Sequence, residues 1–286
     1  MTQSTQGLEQ KSSFFLPFLL LGKKRREALT LLYHFCRMAD DVSDEPGTPA
    51  QKRRLFNALQ KELEACLAGH PKGAFWVSFK ESIDAHRIPP QTLRDTLRGV
   101  AMDLNKVRFQ TFTELLAYAH LVAGGPGRAS MAIFGGQGPR HERYAENLGA
   151  FLQVTNVVRD YLEDRDLGRL YLPLKDMKRF GVDPRHPVPG PAWDSFVRFE
   201  LDRAWGYWES AQRSLETCER SRLIAAEGMA AVYGRLHRCL KKNPGAILQD
   251  RVSLSTWDKI VATLSAALRC GLWRLKPKSP DCGCGS

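Results

Sequence analysis

Gln153-Val154-Thr155-Asn156-Val157-Val158-Arg159-Asp160-Tyr161-Leu162-Glu163-Asp164 is an apolar helical run carrying polar groups at a fixed interval. Asn156, Asp160 and Asp164 follow each other at four-residue steps, so on a helix of about 3.6 residues per turn they form one stripe. The flanking Phe151, Leu152, Val154, Val157, Val158 and Leu162 argue that this helix is buried and that its carboxylates point into an interior cavity.

A second stretch has the same design. Tyr33-His34-Phe35-Cys36-Arg37-Met38-Ala39-Asp40-Asp41-Val42-Ser43-Asp44 sets Asp40 and Asp44 one turn apart, with Arg37 and Tyr33 continuing the stripe. Neighbouring carboxylates repel, more so where water is excluded, so something must compensate them. One such stripe alone reads equally as a solvated face. Two stripes on facing apolar helices form an oxygen-only ligand set, which suits Mg2+ with water and phosphate oxygens completing the shell. Asp40, Asp44, Asn156, Asp160 and Asp164 are therefore the candidate metal ligands.

Magnesium bridged to a diphosphate assists its departure from an allylic carbon, and the resulting cation needs a dry, partly aromatic pocket. Phe14, Phe15, Phe35, Tyr118, Phe134, Phe151, Trp205 and Trp208 are candidates for that lining, although aromatics at helical spacing are commonly plain core. Arg37 and Arg159 suit phosphate through the guanidinium fork; arginine beside aspartate serves equally as a structural pair.

Outward from these stretches, the helical period persists and alternating β patterns are hard to find, which predicts an all-α fold. Helices are expected near 23–45, 50–69, 72–86, 90–106, 111–135, 140–166, 190–219, 221–242 and 255–275, with stops at Pro46-Gly47, Gly69 to Pro71, Pro89-Pro90, Gly135 to Pro139, Pro184 to Pro191 and Pro244-Gly245. No break is long enough for a linker, so residues 1–278 are expected to form a single domain. The tail 279–286, with Cys282 and Cys284, reads as a disordered end or a soft-metal site.

Lys plus Arg number 42 against 31 Asp plus Glu, a formal charge of +11 that favours anionic partners. The basic residues are scattered rather than framed in a tail or zinc module, which argues against nucleic acid. Seven cysteines, mostly single within helical patterns, point to a reduced, cytoplasmic protein. The run Phe14 to Leu21 is too short to span a bilayer. The helix near 255–275 is amphipathic and basic, with Trp257, Ile260, Leu264, Leu268 and Trp273 apolar; core packing is its first reading, and rest on the inner face of an anionic membrane its second.

These residues, with Ser12-Ser13-Phe14, Met102-Asp103-Leu104, Tyr118 to Gly124 and the run Glu163-Asp164-Arg165-Asp166-Leu167-Gly168-Arg169-Leu170-Tyr171-Leu172-Pro173, occur in the order of the squalene and phytoene synthase family. The last run resembles that family's E-D-x-x-x-G-R-x-Y-L-P signature. The resemblance, over roughly residues 11–270, implies an isoprenoid synthase helical bundle with a central active-site cavity. It implies two or three Mg2+ ions held by Asp40, Asp44, Asn156, Asp160 and Asp164, and diphosphate contacts from Ser12, Ser13, Phe14, Tyr33, Arg37 and Arg159. Asp40, Asp44, Asp160, Asp164, Tyr33 and Arg37 then count as catalytic, with Gln153 and His120 added to the substrate pocket.

The opening Ser12 to Phe15 and Gly22 to Ala28 most resemble bacterial presqualene diphosphate synthases of hopanoid pathways, which join two farnesyl diphosphates. Phytoene synthase, acting on geranylgeranyl diphosphate, is the runner-up. No nucleotide fingerprint supports an NADPH-dependent reduction. A non-catalytic relative would be expected to lose motif carboxylates, all of which are kept here; chain-elongating enzymes carry richer D-D-x-x-D motifs. His120 departs from a family tyrosine, and Pro126 in Gly124-Gly125-Pro126-Gly127 should kink its helix beside the cavity.

Overall fold

The structure, a computed structural model, describes residues 15–105 and 107–275. Ser12, Ser13, Phe14 and the tail 279–286 lie outside the described residues. The chain runs through α1 (Phe15–Phe18), α2 (Lys23–Asp44), α3 (Pro49–Leu67), α4 (Ala74–His86), α5 (Pro90–Asp103) and α6 (Phe112–Ala119). A π-helical turn (His120–Gly124) joins α6 to α7 (Gly125–Phe134), followed by α8 (Pro139–Arg159), α9 (Tyr161–Asp166) and α10 (Leu174–Arg179). Then come α11 (Pro191–Ser214), α12 (Thr217–Arg220), α13 (Ile224–Lys242), a 3-10 turn (Pro244–Leu248) and α14 (Thr256–Leu275). Among the described residues there is no strand, only an isolated bridge between Arg108 and Leu170.

The starts follow local chemistry. Thr48 caps α3 reciprocally with Gln51, and Pro49, Pro90, Pro139 and Pro191 occupy first-turn positions where a missing N–H costs nothing. Gly135, at φ 83°, closes α7, its successor Gly136 donating to the Met131 carbonyl at 2.9 Å.

Two expectations change in form. The helix expected over 111–135 is interrupted by the π turn directly before Pro126, whose ring would otherwise press on the preceding turn; the widened turn absorbs that demand. The helix expected over 140–166 breaks at Asp160, at φ −93° and ψ 13°. The four-residue register survives the break, because Asp160 N–H donates to Asn156 O at 2.8 Å and Asp164 N–H to Asp160 O at 2.9 Å.

The π turn lets three helices approach closely. A Cβ on Gly125 would lie 2.8 Å from the Thr92 carbonyl of α5, and one on Gly149 of α8 would lie 3.0 Å from the Ala123 carbonyl carbon. Hydrogen at both positions sets how near α5, α7 and α8 stand, and therefore the width of the space they enclose with α2.

The last helix is the third change. α14 packs on α13 through buried Ala262, Ala266 and Cys270, while Trp257, Leu264 and Leu268 are exposed, so these apolar positions are not core. No helix among the described residues is long and apolar enough to cross a membrane.

Candidate active site

Facing stretches of α2 and α8–α9 enclose a cavity of about 570 Å³. From α2 come Tyr33, Arg37, Asp40 and Asp44; from the opposite wall come Gln153, Asn156, Arg159, Asp160 and Asp164. The two sequence stripes therefore meet across one space. Its polar end carries six carboxylates, Asp40, Asp44, Asp103, Asp160, Glu163 and Asp164, and four arginines, Arg37, Arg159, Arg169 and Arg251. Phe18, Leu29, Leu32, Phe134, Leu148 and Met229 make much of the apolar remainder.

The carboxylates differ in how they are held. Arg159 forks onto Asp160, Nε to Oδ1 at 2.6 Å, and Arg251 adds a contact to the same Oδ1 at 2.8 Å while lying 3.5 Å from Glu163. Arg169, itself buried, donates to Asp44 Oδ1 at 2.7 Å and to the Ser43 carbonyl at 2.8 Å. Arg37 turns to Asp41, 2.6 Å away. Asp103, at the end of α5, accepts from Tyr171 at 2.6 Å and Tyr118 at 2.8 Å.

Asp40 and Asp164 have no such partner of their own. Burial, reinforced by Asp44, pushes the Asp40 carboxyl up to about 7. Burial, reinforced by Asp160, pushes Asp164 up to about 8, and burial holds Asp103 at about 6 against its two tyrosine donors. Asn156 Oδ1, on the same wall, is buried without a hydrogen-bond partner. An acidic cluster that resists ionisation beside an orphaned amide oxygen suits a hard cation: the donors are oxygens, and a positive charge would relieve their repulsion. Among the described residues no three of these side chains converge tightly enough to cage an ion alone.

Several residues fall elsewhere than expected. His120 is not on the cavity wall; it begins the π turn, with Nδ1 buried and unpartnered. Phe35 stacks on Phe79 with ring centres 5.4 Å apart in a cluster with Phe75 and Trp76. Trp205 stacks on Trp208 at 4.3 Å, and Phe151 meets Trp205 edge-on; Phe35 and Phe151 are core, the two tryptophans pack half-buried against it, and none of the four lines the cavity. Tyr118 and Phe134 do face the cavity.

Arg169, Asp103, Tyr171 and Arg251 were not among the expected site residues. Asp103, Arg169 and Tyr171 stand inside motifs that the resemblance already used, and that was their available signal. Their placement follows from the short bridge: Leu170 N–H donates to Val107 O and Phe109 N–H to Leu170 O, fixing Arg169 and Tyr171 on either side. For Arg251, in the loop before α14, the sequence carries no local sign.

An all-helical bundle around a cavity with an acidic and arginine-rich end and an apolar body is the architecture of the isoprenoid synthases. Within that class, the chain belongs to the squalene/phytoene synthase family, whose sequence profile matches residues 9–258. It is 33% identical over 272 residues to the 15-cis-phytoene synthase of Synechocystis sp., covering 90% of this chain and 81% of that one. It is 31% identical over 243 residues to the presqualene diphosphate synthase of Zymomonas mobilis, covering 83% and 82%. In fold it resembles a crystallised dehydrosqualene synthase, with a TM-score of 0.78 at 22% identity, over 94% of this chain and 95% of that one.

Proposed function

We propose that the protein joins two farnesyl diphosphates head to head, yielding presqualene diphosphate, inorganic diphosphate and a proton, with residues 1–278 acting as one domain. The observation that supports prenyl diphosphate ionisation, whichever chain length is used, is the meeting of two acidic stripes over one apolar cavity. Asp40 and Asp44 on one wall, with Asn156, Asp160 and Asp164 on the other, are the residues that would hold magnesium. When bound, it supplies electrophilic stabilisation of the departing diphosphate.

Arg159, Arg251 and Arg37 bring positive charge to the diphosphates, and Tyr33 offers a hydroxyl beside them. Ionisation of one substrate leaves an allylic cation. Phe134 and Tyr118 are the aromatic rings of the cavity wall that would stabilise it, and Leu29, Leu32 and Leu148 would exclude the water that quenches it. The double bond of the second substrate attacks that cation, and proton loss closes the cyclopropane. Ser12, Ser13, Phe14 and Gln153 complete the proposed substrate contacts.

The presqualene branch rests on the opening residues 12–28 and on the Zymomonas relative; its product would feed squalene and hopanoid synthesis. The Synechocystis relative favours a second reading, in which two geranylgeranyl diphosphates give a phytoene precursor. Each chain would then be one isoprene unit longer in the same 570 Å³ cavity. We place the enzyme in a reduced cytoplasm, in peripheral contact with the membrane. Offering both substrates in equal amounts with Mg2+, with and without NADPH, and identifying products by mass spectrometry separates the readings: a cyclopropyl triterpene diphosphate supports the first, a tetraterpene skeleton the second.

A further inference from the structure

α14 turns one face to the protein and leaves the other bare. Trp257, Leu264 and Leu268 are 71%, 54% and 70% exposed. At about 100° per residue their spacing puts them within an arc of roughly 40°, diametrically opposite the buried Ala262, Ala266 and Cys270. Ile260, Val261 and Gly271 flank them, so the outward arc holds no charged side chain. An ordered apolar stripe of this kind is uncommon on a water-facing surface and marks contact with something.

The surrounding charge says what. Between 255 and 275 the sequence has three basic residues, Lys259, Arg269 and Arg274, against one acid, Asp258, an excess of two. Asp258 is already engaged by Arg235 at 2.6 Å. A second copy of the chain would bring this basic segment against itself, whereas an anionic lipid surface would attract it. A tryptophan and leucines on one face of a basic helix are the composition that settles at the boundary of headgroups and acyl chains.

The helix is also near the site. Trp257 follows Arg251 of the cavity wall by six residues, a reach of roughly 20 Å at most. We infer that α14 seats the protein on anionic membrane through Trp257, Leu264 and Leu268, bringing the cavity close to the phase that dissolves prenyl chains. The inference does not depend on which prenyl diphosphate the cavity takes.

The test is flotation of the purified full chain with vesicles of phosphatidylcholine alone or mixed with phosphatidylglycerol, at low and high salt, beside a Leu264→Glu/Leu268→Glu double variant. The wild type should float with the phosphatidylglycerol vesicles, less so at high salt. The double variant should bind on the order of tenfold more weakly, with unchanged circular dichroism and unchanged turnover of detergent-dispersed substrate. Equal binding by the double variant, binding indifferent to phosphatidylglycerol, or no binding would overturn the inference. So would a wild-type dimer in light scattering that the double variant abolishes, which would assign the face to a second copy. Flotation requires no turnover, so its result stands apart from that of the activity assay.

Discussion

Arg169 reaches Asp44 across 125 positions of sequence, Nη1 to Oδ1 at 2.7 Å, and so ties the segment after α9 to the end of α2. Its other terminal nitrogen holds the Ser43 carbonyl. One planar fork thus grips two groups at the end of α2 from the segment that follows the second acidic stripe.

Replacing Arg169 should therefore act on fold and site together. Asp44 is nearly half exposed and can recover water, which tempers the cost. Arg169→Ala should lose about 2 to 3 kcal/mol in urea unfolding, and Arg169→Lys should recover only part, since an ammonium cannot span both acceptors in a plane. Full stability in Arg169→Ala would remove this clamp from the account.

The metal-free protein should weaken as pH rises. Asp103, Asp40 and Asp164 sit at about 6, 7 and 8 in the folded chain, above the ordinary carboxylate range. The folded state therefore binds these protons more tightly than the unfolded state. That stabilising preference is lost as pH climbs through 6 to 8. The thermal midpoint without metal should fall across that window, and the rise produced by added Mg2+ should grow across it, because ion and protons compete for the same oxygens. A magnesium effect independent of pH would contradict this.

Helix spacing should be sensitive at one glycine and not at another. Gly125→Ala drives a methyl to 2.8 Å from the Thr92 carbonyl and should cost about 1 to 3 kcal/mol. Gly206→Ala, inside α11 with no neighbouring atom within 4 Å, should gain about 0.5 to 1 kcal/mol by stiffening the unfolded chain. Chemical denaturation of the two variants checks both signs.

Arg251 should show the opposite division from Arg169. Its side chain is about half exposed, so its pairs with Asp160 and Glu163 contribute little to stability, within about 0.5 kcal/mol. As a cation at the diphosphate end it should matter for substrate. Arg251→Ala should raise KM about tenfold with an unchanged melting point. A lower melting point with an unchanged KM would make it a structural residue.

Much of this site was legible because α-helical periodicity is local: Asp40 and Asp44, or Asn156, Asp160 and Asp164, need only a turn of helix to share a face. The pairing of the two stripes also followed from composition, since apolar flanks left both acid faces nowhere to point but inward. What stayed hidden depends on distance. The Arg169–Asp44 clamp and the Tyr171–Asp103 bond join residues whose separation no local period encodes. Arg251 comes from a loop without pattern. Phe35 and Phe151 show the other limit: a buried ring in an apolar helix reads alike whether it faces a cavity or a neighbouring helix. The short helix Leu174–Arg179 escaped notice because six residues carry too little of the period.

If the two acidic walls act together on one diphosphate, losing either one must stop its release. The most direct test is the rate of inorganic diphosphate release from farnesyl diphosphate with Mg2+, for the wild type and for Asp40→Asn and Asp160→Asn separately. The wild type should release diphosphate, and each variant, one from either wall, should release it about 100-fold or more slowly with folding retained. Release undiminished in either variant, or no release by the wild type from farnesyl or geranylgeranyl diphosphate, would contradict that joint action.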